Sequence, residues 1–302
     1  MNITQTITQF CHHTWQLDAN IQLVQQAEDM IYLVVDKTPF HPVSHIWPDH
    51  PADRGSVIAN GTEYSVINCL VGAVELASHT LYVDQAIPVK RDQPGWVFVV
   101  VHCVDIEPQQ LVVGENVILS VDKTYQQALS RGHSAGHLAF LALNKVLTQQ
   151  GYWRKDADRK DALGHYDFNS YAQETSYVTE DKCIDSYRLG KTLRKRGLNS
   201  AEMLENLAVV ESAVNQQLIS WLALGTNVLM RCQGEHLTDS RYWQSDLGES
   251  VIVEIPCGGT HISSLDELQS IMVTLRESEL NYIEMQTDVI AARFQCDSFI
   301  KN

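Results

Sequence analysis

Two short motifs far apart in the chain constrain its fold more than any other feature: His133-Ser134-Ala135-Gly136-His137 and Cys257-Gly258-Gly259-Thr260-His261. Together they offer three imidazoles and one thiol, the donor set of a tetrahedral zinc site. The first lies within Tyr125 to Gln149, a stretch apolar around most of its circumference that predicts a buried helix, and a spacing of four puts both rings on one face of it. The second follows an apolar alternating segment, Glu249 to Pro256, that reads as a strand. A fold that uses both motifs as one cage must bring a strand end against the middle of a helix. Mixed nitrogen and sulfur donors favour zinc over magnesium or calcium. The competing reading is a set of satisfied core histidines beside a buried thiol.

At 302 residues the chain is long enough for about two domains. Its net charge of −15 argues against a protein that coats nucleic acid, but leaves room for a local basic patch. One such patch is present: Arg188, Lys191, Arg194, Lys195 and Arg196 stand close together with no acid among them. It reads either as a solvated face or as a contact for folded RNA. No run of about 18 apolar residues marks a membrane span, and Met1 to Trp15 lacks the layout of a signal peptide. Seven scattered cysteines suit reduced thiols in a cytoplasmic protein better than a disulfide framework. Apart from Cys257, they are expected to be buried small hydrophobes.

The first part of the chain reads as β. Met30 to Val35 and Trp96 to Val104 are apolar runs, and Asn60-Gly61 between two short apolar segments signals a two-residue hairpin. Ile118 to Asp122 reads as the last strand before a boundary, which gives domains 1–122 and 123–302. The predicted helix to Gln149 ends before Gly151, and carries Gly132 and Gly136 inside it. Each costs roughly 1 kcal/mol relative to alanine, tolerable where backbone or ligand approaches closely or helices pack tightly. Trp153 to Asn199 reads as a polar, loop-rich excursion, Ala201 to Trp221 as a second amphipathic helix, and the remainder as strands and turns. Ser263-Ser264-Leu265-Asp266-Glu267 has the pattern of a capping box. The expected fold class is α+β.

The paired motifs resemble those of the alanyl-tRNA synthetase editing domain and its free-standing relatives, the AlaX-type trans-editing proteins. Val35-Asp36-Lys37-Thr38-Pro39-Phe40-His41-Pro42 is similar to that family's Asp-x-Thr-x-Phe-Tyr-Pro segment, Asp53-Arg54-Gly55 to its Asp-x-Gly, and Glu211 to Ile219 to the helix before its last strands. The resemblance implies an N-terminal translation-factor-like β-barrel, followed by an α/β domain like the editing domain of threonyl- and alanyl-tRNA synthetases. It implies that His133, His137, Cys257 and His261 hold zinc and that Thr38 contributes to an amino-acid pocket. Read alone, Thr38 is equally a strand-end or turn residue. The implied activity is hydrolysis of the ester joining serine or glycine to alanine tRNA, in trans.

The chain departs from the family after Pro42. The family continues Glu-x-Gly-Gly-Gln, whereas here Val43-Ser44-His45-Ile46-Trp47-Pro48-Asp49-His50-Pro51 has neither glycine nor glutamine. Ile46 and Trp47 are expected to obstruct backbone approach where glycines permit it. His45, Asp49 and His50 read as exposed loop residues or as replacement polar groups. Two further functions stay open: a zinc-stabilised protein that binds tRNA or another ligand without turnover, and a related hydrolase with a different ester substrate. No carboxylate is placed by the motifs as a general base, and zinc could serve catalysis or structure.

Overall fold

The computed structural model describes residues 3–27, 29–105 and 111–292. Its first part is almost entirely strand: β1 (Ile7–Thr8), β2 (Gln16–Ala27), β3 (Met30–Val35), β4 (Lys37–Thr38), β5 (Gly55–Ala59), β6 (Thr62–Glu75), β7 (Thr80–Val83), β8 (Trp96–Val104) and β9 (Asn116–Val121). Seven of these form one sheet in the order β5-β9-β2-β3-β8-β6-β7, and β5 pairs with β6 as well. The hydrogen-bonded order therefore returns to its first strand.

The run at β8 lacks alternation because both of its faces are buried. Val100 and Val104 pack in one cluster with Ile21 and Leu33, while Val99 and Val101 pack in another with Val34 and Leu81. At the β5–β6 hairpin, Asn60 and Gly61 take φ of 50° and 79°, the left-handed pair of a primed two-residue turn.

The rest of the chain supplies α1 (Lys123–Gln149), α2 (Phe168–Ala172), β10 (Gln173–Thr179), β11 (Lys182–Arg188), α3 (Lys191–Arg196), α4 (Ser200–Glu205), α5 (Leu207–Leu222), β12 (Val228–Cys232), β13 (Arg241–Ser245), β14 (Val253–Pro256), β15 (Leu268–Glu279) and β16 (Tyr282–Ala291). The architecture is mixed α+β, with many strands and few helices. Two antiparallel sheets, β10-β11-β16-β15 and β12-β13-β14, flank α1. Asp122 caps α1 by accepting from the Tyr125 amide at 3.1 Å. Gly151, at φ 76°, follows the end of the helix. A cluster drawn from Ala135 to Met285 forms the largest core, whereas the clusters around β2, β3 and β8 draw their buried residues from before Asp122.

The segment from Trp153 to Asn199 is not an excursion. Its strand β11 lies between β10 and β16, and Phe168, Tyr187, Leu193 and Leu198 are buried in the main core. The alternation is hidden because one inward position is a carboxylate: Asp185, 3 % exposed, accepts from Gln173 Nε2 at 2.8 Å. The expected helix from Ala201 to Trp221 is two helices broken at Asn206. Helix α5 covers the edge strand β15. The Asn215 side chain donates to the Val273 carbonyl and accepts from its amide, both at 2.8 Å, and Glu211 accepts from the Leu275 amide at 2.7 Å. The capping box at Ser264 is formed, opening a short 3-10 turn at Leu265–Glu267.

Six cysteines are free thiols among the described residues; Cys11, Cys69, Cys103 and Cys183 are buried, and Cys232 and Cys257 half-buried. Cys296 lies outside the described residues. Among those residues no helix is long and apolar enough to cross a membrane.

One buried acid ties the two parts of the chain together. Asp53 Oδ2 accepts from the His41 amide at 2.7 Å and from Gln126 Nε2 of α1 at 2.6 Å. Burial pushes this carboxyl up to about 7. The folded state thus holds a proton that an unfolded chain, with an ordinary carboxyl near 4, releases. Stability from this group is present below about pH 4 and is lost as pH rises through 7. Asp53→Asn keeps an acceptor for both donors, so it is expected to flatten the pH dependence of stability between pH 5 and 8, measured by urea unfolding.

Candidate metal centre

Helix α1 and the end of β14 deliver the donors. Pairing of Tyr242 with Pro256 fixes the end of β14, and the Cys257 amide donates to the Arg241 carbonyl at 2.9 Å. His133 and His137, one turn apart on α1, face this strand end. The ligand atoms of His133, His137, Cys257 and His261 all lie within 4.8 Å of one another. Cys257 Sγ is 3.5 Å from His133 Nε2, 3.4 Å from His137 Nε2 and 3.2 Å from His261 Nε2. A tetrahedron with metal–nitrogen bonds near 2.0 Å and metal–sulfur bonds near 2.3 Å has edges on the order of 3.5 Å. The donor set fits zinc in both chemistry and spacing.

Hydrogen bonds around the imidazoles set which nitrogen is free. His133 Nδ1 lies 3.3 Å from the Thr260 carbonyl, which can only accept, so Nδ1 carries the proton and Nε2 presents its lone pair. His261 Nδ1 is 3.0 Å from Ser134 Oγ, and that oxygen also accepts from the Ile262 amide at 3.2 Å. Ser134, between the two helical histidines, thereby orients the loop histidine. Burial lowers all three imidazoles, His137 to about 3, and keeps them neutral as ligands must be. Burial also raises the Cys257 thiol to about 12. A bound dication works in the opposite direction and favours the thiolate.

A second row of residues backs the cluster. His50 Nδ1 donates to the Pro51 carbonyl at 2.8 Å, which leaves its Nε2 to accept from the Thr260 hydroxyl at 3.1 Å. Thr260 is in turn 2.9 Å from Ser130 Oγ of α1. The His50 ring stands edge-on to His133 at 4.9 Å and to His41 at 4.4 Å. Burial lowers His50 to about 4. The glycines of the second motif differ in what they allow. A Cβ on Gly259 would fall 2.5 Å from His133 Cε1 and 3.0 Å from His50 Cδ2, whereas one on Gly258 would meet nothing within 4 Å. Gly259→Ala is therefore expected to weaken zinc affinity by roughly tenfold or more, and Gly258→Ala to leave it unchanged, in competition titrations against a chelating dye.

A cavity of about 450 Å³ opens beside the cluster, walled by His133, His137 and Cys257 on one side and by His41, Asp49 and Arg241 among others. The loop from Val43 to Pro51 forms part of its wall, with Trp47 among the lining residues and Ile46 not. Ile46 and Trp47 are 68 % and 45 % exposed, while His50 is 3 % exposed and Asp49 is half-buried. The loop is pinned where the Val43 amide meets the Cys69 carbonyl at 3.0 Å and the Val178 amide meets the Asp49 carbonyl at 2.8 Å. The expectation that His50 and Asp49 are exposed loop residues is corrected by these contacts, which join positions too distant in sequence to be read locally.

Thr38 is fully buried and is not among the cavity walls. Its hydroxyl lies 2.7 Å from His102 Nε2 and accepts from the Phe40 amide at 3.0 Å, and His102 Nδ1 meets the Leu33 carbonyl at 3.1 Å. His41 lines the cavity in its vicinity; its Nδ1 meets the Pro51 carbonyl at 3.3 Å. The basic run is exposed on β11 and α3. Arg188 pairs with Glu174 and Arg196 with Asp158, while Lys191, Arg194 and Lys195 have no carboxylate partner among the described residues.

No family model matches the chain. It is similar to the alanine–tRNA ligase of Lactobacillus acidophilus, 25 % identical over 251 residues that cover 80 % of this chain and 22 % of the relative. The alanine–tRNA ligase of Sorangium cellulosum is 23 % identical over 262 residues, covering 83 % and 22 %, and that of Mycobacterium avium 28 % identical over 141 residues, covering 47 % and 13 %. The chain spans about a fifth of the length of the curated relatives it matches over most of its own length.

Proposed function

We propose that this chain is a zinc-dependent hydrolase that deacylates mischarged aminoacyl-tRNA in trans, with serine or glycine on alanine tRNA as its substrates. The observation that carries the reading is the four-donor cluster at tetrahedral spacing, open to a cavity large enough for an aminoacyl ester. Similarity to alanine–tRNA ligases over most of the chain supports a tRNA-related role. In this reading His133, His137, Cys257 and His261 hold zinc, and the chain divides into units 1–122 and 123–302. The strand order that returns to its start, through the β5–β6 pairing, supports a translation-factor-like barrel for the first unit. The second unit would be the α/β fold of the threonyl- and alanyl-tRNA synthetase editing domains.

The reaction adds water across the ester, giving a free amino acid and a tRNA 3′-terminal hydroxyl. Zinc held by all four donors would have no open position, so it would polarise the ester or anchor the substrate amine only with one ligand released, and would otherwise hold the cavity wall in shape. Of the chain's own groups, His41 is placed to take the water proton. With Nδ1–H held by the Pro51 carbonyl, its Nε2 is left as an acceptor on a cavity-lining ring. Burial keeps that imidazole neutral and also lowers its affinity for a proton, so it would act as a weak base. Thr38, locked to His102, fixes the backbone that carries His41 and does not itself touch the substrate. Lys191, Arg194 and Lys195, with Arg188 and Arg196, are the proposed tRNA contact.

The net charge of −15 and the loop without glycines favour a second reading, a zinc-stabilised protein that binds tRNA or another ligand without turnover. Incubating zinc-loaded protein with seryl-, glycyl- and alanyl-tRNA(Ala) and measuring amino-acid release separates the two. Multiple turnover of the seryl or glycyl ester, lost in Cys257→Ala, is expected. Saturable binding without product would replace the hydrolase by the binding protein.

A further inference from the structure

We propose that Cys11, Cys232 and His12 form a second metal site, for a thiophilic divalent ion such as zinc, that clamps the N-terminal turn to the end of β12. The three donors lie within 4.8 Å of one another although Cys11 and Cys232 are 221 residues apart. Their sulfurs are separated by 3.6 Å. That is far beyond a disulfide, near 2.05 Å, and close to the edge of about 3.8 Å between two thiolates on a tetrahedral ion with 2.3 Å bonds. Cys11 is buried, Cys232 half-buried and His12 exposed, so the fourth position of such an ion faces solvent. Two sulfurs and one imidazole select zinc or a similar ion over hard cations.

Burial, followed by the neighbouring Cys232, pushes the Cys11 thiol up to about 12, and the Arg241 guanidinium against it works in the opposite direction. A bound dication would add to the Arg241 effect and favour the thiolates. Arg241 is 6 % exposed, and its Nε–H is buried with no acceptor among the described residues. Negative charge at Cys11 compensates a cation that otherwise lies buried beside a neutral thiol. The segments that carry the ligands are already joined. The Thr8 amide donates to the Glu235 carbonyl at 2.8 Å, and Arg241 donates to Thr8 Oγ1 at 2.6 Å and to the His236 carbonyl at 2.7 Å. An ion here adds a further tie between residues 7–12 and 232–241. Phe10 and Arg241 of those segments also wall the cavity beside the central cluster, so the second ion stiffens that wall.

The test is a titration of chelated, reduced full-length protein with zinc alone, repeated with cobalt. Wild type is expected to bind two equivalents, Cys232→Ser one, Cys257→Ala one, and the double variant none. His12→Ala changes an exposed side chain that folding does not need. It is expected to weaken one equivalent by roughly tenfold or more, since loss of a ligand should cost no less than loss of its supporting contact. Cobalt bound to Cys257→Ala should show stronger thiolate-to-metal absorption per ion than cobalt bound to Cys232→Ser, because two sulfurs remain instead of one. A single equivalent in wild type, or a second that survives both Cys232→Ser and His12→Ala, would overturn the proposal. So would a Cys11–Cys232 disulfide in untreated protein whose reduced form takes no second ion. The inference stands apart from the central site, whose failure would leave Cys257→Ala binding as many ions as wild type.

Discussion

Cys257→Ala is expected to abolish retention of zinc at the central cluster and all amino-acid release, and to lower stability by about 4 kcal/mol when zinc is present at a thousand times its dissociation constant. The size of the effect comes from linkage and not from packing. Cys257 is half-buried, and removing one sulfur from such a position costs little by itself. Chelated wild type and chelated variant should therefore melt together, and only the zinc-loaded pair should separate. His133→Ala is expected to behave in the same way, because His133 Nε2, like Sγ, forms one vertex of the same tetrahedron. Thermal unfolding of both proteins with and without chelator checks this. A difference that persists after chelation would assign Cys257 to the core instead of to an ion.

Gly132→Ala is expected to destabilise the protein by about 2 kcal/mol, although alanine is the better helix former by roughly 1 kcal/mol. The added methyl would lie 2.6 Å from the Lys182 carbonyl oxygen, 2.7 Å from that of Thr179 and 2.8 Å from the Lys182 nitrogen. All three are backbone atoms of the β10–β11 turn, and that turn is bolted to α1. Arg131 pairs with both carboxylate oxygens of Asp181, at 2.5 and 3.1 Å, and the Asp181 amide donates to the Ala128 carbonyl at 2.9 Å. With no side chain to move aside, overpacking of about 1–3 kcal/mol or more prevails over the helical gain. Gly136→Ala meets only Cys183 Sγ, at 2.9 Å, and the Cys183 side chain, so its cost should be smaller. Urea unfolding of the two variants orders them. Because Gly132 adjoins His133, its replacement should also weaken zinc binding, whereas a neutral or stabilising result would show that the hairpin yields.

These glycines show what a sequence conveys and what it withholds. Their presence inside α1 marked a close approach, yet the partner is a hairpin in a segment whose polarity read as loop. Asp185 broke the inward apolar row of β11 and concealed the strand. In β2, glutamines and an asparagine at mostly exposed positions concealed another, Gln16–Ala27. The donors of the central cluster were legible because ligand chemistry restricts residue type at each vertex. The second row was not, since His50 owes its place to Thr260, 210 residues away. Cys11 and Cys232 looked like ordinary buried thiols because their neighbourhood exists only once β12 and the N-terminal turn meet. The loop from Val43 to Pro51 misled in part: a bulky residue narrows a pocket only when it faces it, and Ile46 faces solvent whereas Trp47 is among the cavity walls.

The most direct measurement is single-turnover release of serine from seryl-tRNA(Ala) by one preparation in three states: as loaded with zinc, after chelation verified by metal analysis, and after zinc is restored. Release that disappears on chelation and returns with the ion is the expected result. An unchanged rate in protein shown to be free of metal would contradict the account, because the three imidazoles and the thiol would then have no part in the chemistry.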